Sequence, residues 1–321
     1  MTTNEEAPNR QADPFGARRR RGAMSGCRLV TGWNVTGKAR LGGGDRSNVD
    51  RLRRACEAAE PLDLKIELDE SDRLDRPLHV LADAGGEVIG YAGVTADDDA
   101  EVCGMVHPSW RRRGVGTALL GGMGGAARRL GRESILVICE EAGQAGLAWM
   151  RGIGAILEST ERRMVLRLTS SPPTPLTAEA RLEMRPASEP DRDAIVHVLG
   201  EDYSDRPEER RLVGVEGGNV VGTLRLTETS HRTMIYGLVI EERHRGRRLG
   251  TRLLAAVIEQ LRDEGIADVG LEVDPENTPA VRLYERFRFE TVTTYRYMRL
   301  TLTPPERPGL DRAPERRGAD R

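Results

Sequence analysis

The feature that most constrains this chain is an internal repeat. RRRGVGTALL, starting at Arg111, aligns with RGRRLGTRLL, starting at Arg245, at an offset of 134 residues. The register persists to Gly131 over Gly265, Met164 over Met298 and Leu166 over Leu300. Upstream, GGEVIG from Gly85 matches GGNVVG from Gly217 at an offset of 132, so the intervening loop differs by two residues. Chance similarity of Arg/Gly-rich stretches would not hold register over a whole unit, so the chain is two copies of one domain.

Each copy reads the same way. A helix (48–60; 190–200) precedes two strands joined by a Gly-Gly turn, a hairpin signal (78–84 with 88–95; 211–216 with 220–227). A third strand (101–106; 233–240), an Arg/Gly loop and a long helix follow. In the second copy Leu249, Leu253, Leu254, Val257, Ile258 and Leu261 recur at helical spacing. A buried strand (134–139; 268–273), a short helix and closing strands ending near Leu168 and Leu302 complete the unit. The expected class is α/β (α+β): two tandem domains, each a mixed, mainly antiparallel sheet with helices on both faces. The boundaries read as an extension over 1–44, domains at 45–168 and 182–302, a Pro-rich linker at 169–181 and a charged tail at 303–321. Met24 offers an alternative start.

Composition excludes several classes. The 321 residues carry 49 basic and 51 acidic side chains, a balance unlike the basic surplus of a nucleic-acid binder. No apolar run is long enough to span a membrane, and the arginines at 18–21 precede no apolar export segment, so a cytoplasmic protein is expected. The four cysteines form no CxxC pair and no histidines stand at ligand spacing, so no metal is expected. GWNVTGK over 32–38 imitates a phosphate loop, but Ala39 stands where Ser or Thr would hold Mg²⁺ and three glycines follow where a helix should begin.

The Arg/Gly loops carry chemistry. Backbone N–H groups at a helix start lack intrahelical partners, the helix dipole adds positive charge, and glycine lets a phosphate approach the main chain. No dinucleotide GxGxxG pattern with its distant acidic residue is present, so nicotinamide and flavin sites are excluded.

RRRGVG over 111–116 resembles the acetyl-CoA pyrophosphate loop of the GNAT superfamily of N-acetyltransferases. The second loop, RGRRLG over 245–250, is similar but has Arg248 where the first glycine usually stands. The likeness continues through LEVDPENTPAVRLYERFRF from Leu271, with Arg288 replacing a common glycine. This segment resembles that of ribosomal-protein N-terminal alanine acetyltransferases, and the tandem arrangement resembles mycothiol synthase.

The resemblance implies acetyl-CoA as co-substrate and direct attack on it by a primary amine. It implies backbone donors at Val239 and Ile240, and a second-copy cradle of Arg245, Gly246, Arg247, Arg248, Leu249, Gly250 and Thr251. Tyr284 takes the general-acid position and Glu272 is the candidate base, with burial expected to raise its pKa towards working pH. Asn277 is expected to cap the short helix, with a cofactor contact as a second role. The first-copy cradle is Val106 with Arg111, Arg112, Arg113, Gly114, Val115, Gly116 and Thr117.

Applying the offset turns Glu272 into Ile138, Tyr284 into Met150 and Asn277 into Gly143. The first copy keeps a phosphate loop and loses the proton-transfer pair, although Glu101 or His107 offers another route. The favoured reading is therefore a catalytic second copy beside a non-catalytic first. The alternatives are an acyl-CoA sensor or partner-binding protein, and a scaffold with relic loops. The acceptor is left open among a small amine, an amino sugar, a peptide N-terminus and a cysteinyl amine.

Overall fold

The structure is a computed structural model describing residues 32–66, 68–73, 78–96, 100–169, 182–200, 209–229 and 232–302. Most of the expected extension, nearly all of the linker and the tail lie outside the described residues. The first copy runs β1 (Asn34–Lys38), α1 (Gly43–Ala59), α2 (Leu68–Arg73), β2 (His79–Ala84), β3 (Glu87–Ala96), β4 (Glu101–Val106), α3 (Val115–Arg129), β5 (Ser134–Glu140), α4 (Gln144–Gly152) and β6 (Ile156–Arg167). The second runs β7 (Glu183–Pro186), α5 (Arg192–Leu199), β8 (Arg210–Glu216), β9 (Asn219–Glu228), β10 (Thr233–Ile240), α6 (Leu249–Asp263), β11 (Asp268–Val273), α7 (Thr278–Arg286) and β12 (Glu290–Thr301).

The expected extension over 1–44 is corrected at its end. β1 pairs antiparallel with β2 from Asn34↔Asp83 to Lys38↔His79, and Trp33 and Val35 pack on the first copy's core. The phosphate-loop imitation is thus an edge strand. A helix does begin within the glycine triplet, at Gly43, where Asp45 accepts from Gly42 N (3.3 Å) and pairs with Lys38 (2.6 Å). Asn34, Gly37 and Lys38 are weak strand formers, and β1 exists because the edge of β2 offers it a ladder.

Among the described residues the twelve strands form one sheet in the order β1-β2-β3-β4-β5-β12-β6-β11-β10-β9-β8-β7. The two closing strands have changed places. β12 of the second copy pairs with β5 of the first, from Tyr295↔Glu140 to Thr301↔Ser134. β6 of the first copy pairs with β11 of the second, from Asp268↔Arg167 to Val273↔Arg162. β6 and β12 then pair with each other. The units at 45–168 and 182–302 are therefore contiguous in sequence but reciprocally completed in space.

α6 and α7 cover one face of the second half, burying Leu249, Leu253, Leu254, Val257, Ile258 and Leu261 against Val269, Leu271 and Val273. α3 does the same for the first half. The four glycines of its middle, Gly121, Gly122, Gly124 and Gly125, would cost about 1 kcal/mol each against alanine, yet the helix forms because two of them permit close packing. A Cβ on Gly122 would lie 3.0 Å from Val80, and one on Gly124 would lie 3.0 Å from Leu302. On the opposite face α1 and the segment after it cover Leu81, Tyr91, Met105, Ile138, Tyr295 and Tyr297.

Candidate active site

The two Arg/Gly loops have one backbone conformation reached from different sequences. In the first, Arg112 (φ 61) and Gly114 (φ 83) occupy left-handed positions; in the second, Gly246 (φ 78) and Arg248 (φ 60) do. Each copy thus spends one glycine and one arginine on two left-handed residues, in opposite order. The departure at Arg248 leaves the loop shape intact, at a backbone cost of about 1–2 kcal/mol. Gly114 and Arg248 are the N-caps of α3 and α6, and neither gives a side-chain cap bond. The first-turn N–H groups, including those of Val115, Gly116, Thr117, Leu249, Gly250 and Thr251, therefore suit an incoming phosphate.

The flanking arginines divide their work. Arg111 Nε donates to Val106 O (3.3 Å) and Arg245 Nε to Ile240 O (3.2 Å), so both brace the loop against the end of the preceding strand. Arg111 also pairs with Glu60, and Arg247 with Glu216 (2.7 Å). Arg113 stacks over Trp110, 5.1 Å from the ring centre.

Both copies open a gap between their parallel strands. β4 and β5 pair only at Glu101↔Leu136 and Val102↔Val137, and β10 and β11 only from Thr233↔Val269 to Ile235↔Leu271. Beyond those points the strands splay. The second copy has a further feature, a bulge in β10 between Tyr236 and Val239 with Gly237 at φ 55. β4 pairs without a break from Val102 to Val106. Following pairs along the ladders, the offset between copies is 132 at Gly93/Arg225, 133 at Cys103/Tyr236 and 134 at Val106/Ile240. One of the two extra residues therefore lies inside β10, which corrects the expectation that both fall in a loop.

The bulge lifts the backbone around Leu238 out of the β9 ladder. Glu241 N donates to Val221 O (3.0 Å), so by strand alternation Val239 also faces β9 while Ile240 N–H faces the gap. Of the two backbone donors inferred from the resemblance, Ile240 is available and Val239 is engaged in the ladder. A Cβ on Gly250 would lie 3.7 Å from Ile240, 3.8 Å from Leu283 and 4.0 Å from Leu238, so α6, α7 and the bulged strand converge here.

Tyr284 follows Leu283 on α7. It is 7% exposed, edge-on to Phe289 with ring centres 5.7 Å apart, and burial pushes its phenol up. No group among the described residues bonds its hydroxyl. A protonated phenol in this setting can donate to a departing thiolate. Asn277 caps α7, its Oδ1 accepting from Ala280 N (3.2 Å). In the first copy Ile138 and Met150 are buried apolar residues and Gly143 gives no side-chain cap.

Glu272 requires a correction. It stands on β11 just past the last β10 pairing, on the face opposite α6, but it is not a free base. Lys65 Nζ donates to its Oε2 (2.8 Å), and Arg163 Nη2 and Nε donate to its Oε1 (2.9 and 3.1 Å). The three side chains are 7–11% exposed. Burial alone would raise the pKa, but the charges and hydrogen bonds of Lys65 and Arg163 outweigh it and hold the carboxyl down to about 2. Lys65 also donates to Tyr297 OH (2.7 Å), and Tyr297 OH donates to Glu161 Oε2 (2.5 Å). Lys65, Arg163 and Glu161 come from the first copy. The repeat alignment missed them because it matches equivalent positions of the two copies, whereas these contacts join non-equivalent positions across them.

Among the described residues no cluster of three or more His, Cys, Asp or Glu side chains could hold a metal, and no helix is long and apolar enough to cross a membrane. The acetyltransferase (GNAT) family profile matches residues 47–154 and again 176–289. A mycothiol acetyltransferase of Actinosynnema mirum is 28% identical over 279 residues, covering 76% of this chain and 93% of that protein. One from Thermomonospora curvata is 30% identical over 243 residues, covering 68% and 80%. A GCN5-related N-acetyltransferase structure from Sphaerobacter thermophilus superimposes with a TM-score of 0.67 at 25% identity, over 84% of this chain and 96% of that one. A tandem GNAT protein from the clavulanic acid biosynthesis pathway shares the fold, with a TM-score of 0.66 at 20% identity over 85% of this chain and all of that one. The chain belongs to the acetyltransferase (GNAT) family and is an N-acetyltransferase of two tandem GNAT domains.

Proposed function

We propose that the second copy transfers the acetyl group of acetyl-CoA directly to a primary amine, and that the first copy does not. The observation that carries this reading is the bulge at Gly237–Leu238, which β4 lacks, in a gap flanked by α6 and α7. The diphosphate binds at the start of α6, through the N–H groups of Leu249, Gly250 and Thr251 with Arg248 beside them. Ile240 N–H and the freed backbone at Leu238 hold the thioester carbonyl as it gains charge. Tyr284 protonates the departing thiolate. The first copy's cradle, Arg112 to Thr117, binds a second acetyl-CoA without turning it over.

The acceptor we favour is a cysteinyl amine of the kind the mycothiol acetyltransferase relatives suggest. The test is thiol release from acetyl-CoA with a panel of cysteinyl amines, amino sugars and peptide N-termini, using wild type and Tyr284→Phe. Turnover with the cysteinyl amine that Tyr284→Phe abolishes supports the reading. Absence of turnover with every amine, while acetyl-CoA still raises the melting temperature, refutes it in favour of an acyl-CoA sensor.

A further inference from the structure

If the second copy transfers acetyl groups, its amine must lose a proton, and the geometry constrains where that proton goes. Glu272 cannot take it as arranged, because both carboxylate oxygens already accept from buried cations. On the same face of the sheet, Glu161 differs. It is half-buried, its Oε2 accepts from Tyr297 OH (2.5 Å), and its Oε1 has no partner among the described residues. It stands on β6 opposite Tyr295, two residues from Arg163 and hence on the face of Glu272. The exchange of closing strands puts this first-copy residue beside the second copy's gap.

We propose that Glu161 is the proton acceptor for the amine, with Tyr297 and Lys65 as the positioning residues that hold it and Glu272 as the fixed counter-ion that holds Lys65. The groups facing Glu161 are Glu272 from β11, Lys65 from the segment after α1, Tyr297 and Tyr295 from β12, Arg163 from its own strand and Glu101 from β4. Burial and the charge of Glu272 raise its pKa, while Lys65 and the Tyr297 hydroxyl oppose the rise. A carboxylate so placed takes a proton more readily than an exposed one.

The acceptor arrives as R–NH₃⁺ and gives one proton to Glu161. The neutral amine attacks the thioester carbonyl, the C–N bond forms and the C–S bond breaks. The thiolate takes the proton of Tyr284, and a second proton leaves the former amine nitrogen to restore that phenol. Glu161 releases its proton to water. The sum is amide, free thiol and one proton.

The test compares wild type with Glu161→Gln, Glu161→Asp and Glu272→Gln across pH. In wild type kcat/KM rises with pH through the Glu161 titration, since the base must be ionised. Glu161→Gln should lower kcat by about 100-fold or more and remove that limb, while the acetyl-CoA-induced shift in melting temperature stays. Glu161→Asp should keep the limb at reduced rate, and Glu272→Gln should keep it at reduced stability. A Glu161→Gln enzyme within about threefold of wild type, with its acidic limb intact, overturns the proposal.

A second readout needs no turnover. Carbon-13 NMR of the Glu161 carboxyl in the acetyl-CoA-loaded protein should titrate above the ordinary 4.5; titration at or below it overturns the assignment. Absence of turnover with every amine would defeat the transferase reading of the second copy, and the NMR titration would still decide Glu161.

Discussion

Lys65→Met tests the buried charge lock directly. The variant removes one ammonium and leaves Glu272 Oε2 without its partner at 2.8 Å, while Arg163 still holds Oε1. Breaking a buried ion pair from one side costs about 3–5 kcal/mol when nothing compensates. A carboxyl held at about 2 instead of 4.5 carries about 3 kcal/mol of preference for its ionised form. Arg163 shares in that, so the Lys65 contribution should be about 2 kcal/mol. Urea unfolding at pH 7 measures it as a lower midpoint with unchanged slope. The folded-state pKa is depressed, so this stabilisation is present above pH 4.5 and is lost as the pH falls towards 2. The gap between wild type and variant should therefore narrow over that range. Replacing the whole triad, Lys65→Met with Glu272→Leu and Arg163→Met, should recover most of the loss, because apolar side chains of similar volume replace buried ions at little cost, whereas a double variant that keeps Arg163 would strand its guanidinium. A loss under about 0.5 kcal/mol at pH 7, or one that does not change with pH, would refute the lock.

Three further outcomes follow from the site. Tyr284→Phe should lower kcat by about 10²- to 10⁴-fold without weakening acetyl-CoA binding, measured by turnover and isothermal titration together. Deleting Gly237 gives the stretch from Tyr236 to Ile240 the spacing of Cys103 to Val106 in β4; turnover should fall to background while acetyl-CoA still shifts the melting temperature. In the loops, Gly114→Ala forces a Cβ into φ 83 and should cost about 1–2 kcal/mol, whereas Arg248→Gly relieves φ 60 and should raise the melting temperature.

The repeat made much of this fold legible from sequence. The hairpins and the parallel strands all start within two residues of where periodicity and the glycine turns put them, because each rests on local pattern, whereas α1 starts at Gly43, five residues before the expected 48. The left-handed backbone at Arg112 and Arg248 was not legible, since arginine does not mark such a position. β1 was not, since its pairing comes from β2 and not from its own residues. The bulge was half visible: the shift from 132 to 134 counted two residues, and Gly237 within a strand marked where one of them sits. Glu272 was found, but its chemistry was misjudged. Burial predicts a raised pKa, and only the non-local approach of Lys65 and Arg163 reverses the sign. Nothing in a one-dimensional alignment indicates that the closing strands trade places, because each copy would bury its own β6 or β12 with the same pattern.

That trade has a consequence for the chain during synthesis. β5 ends at Glu140, and its partner β12 ends at Thr301. At about 5–20 residues per second the ribosome leaves the outer edge of β5 without its partner for roughly 10–30 s. During that interval β5 is a second exposed edge of the first copy's sheet, beside that of β1, and can pair with a neighbouring nascent chain. The first copy is indispensable to the second, which has no complete sheet without β6. The exchange makes each copy half of one scaffold, and truncation at the linker would leave two fragments with incomplete sheets.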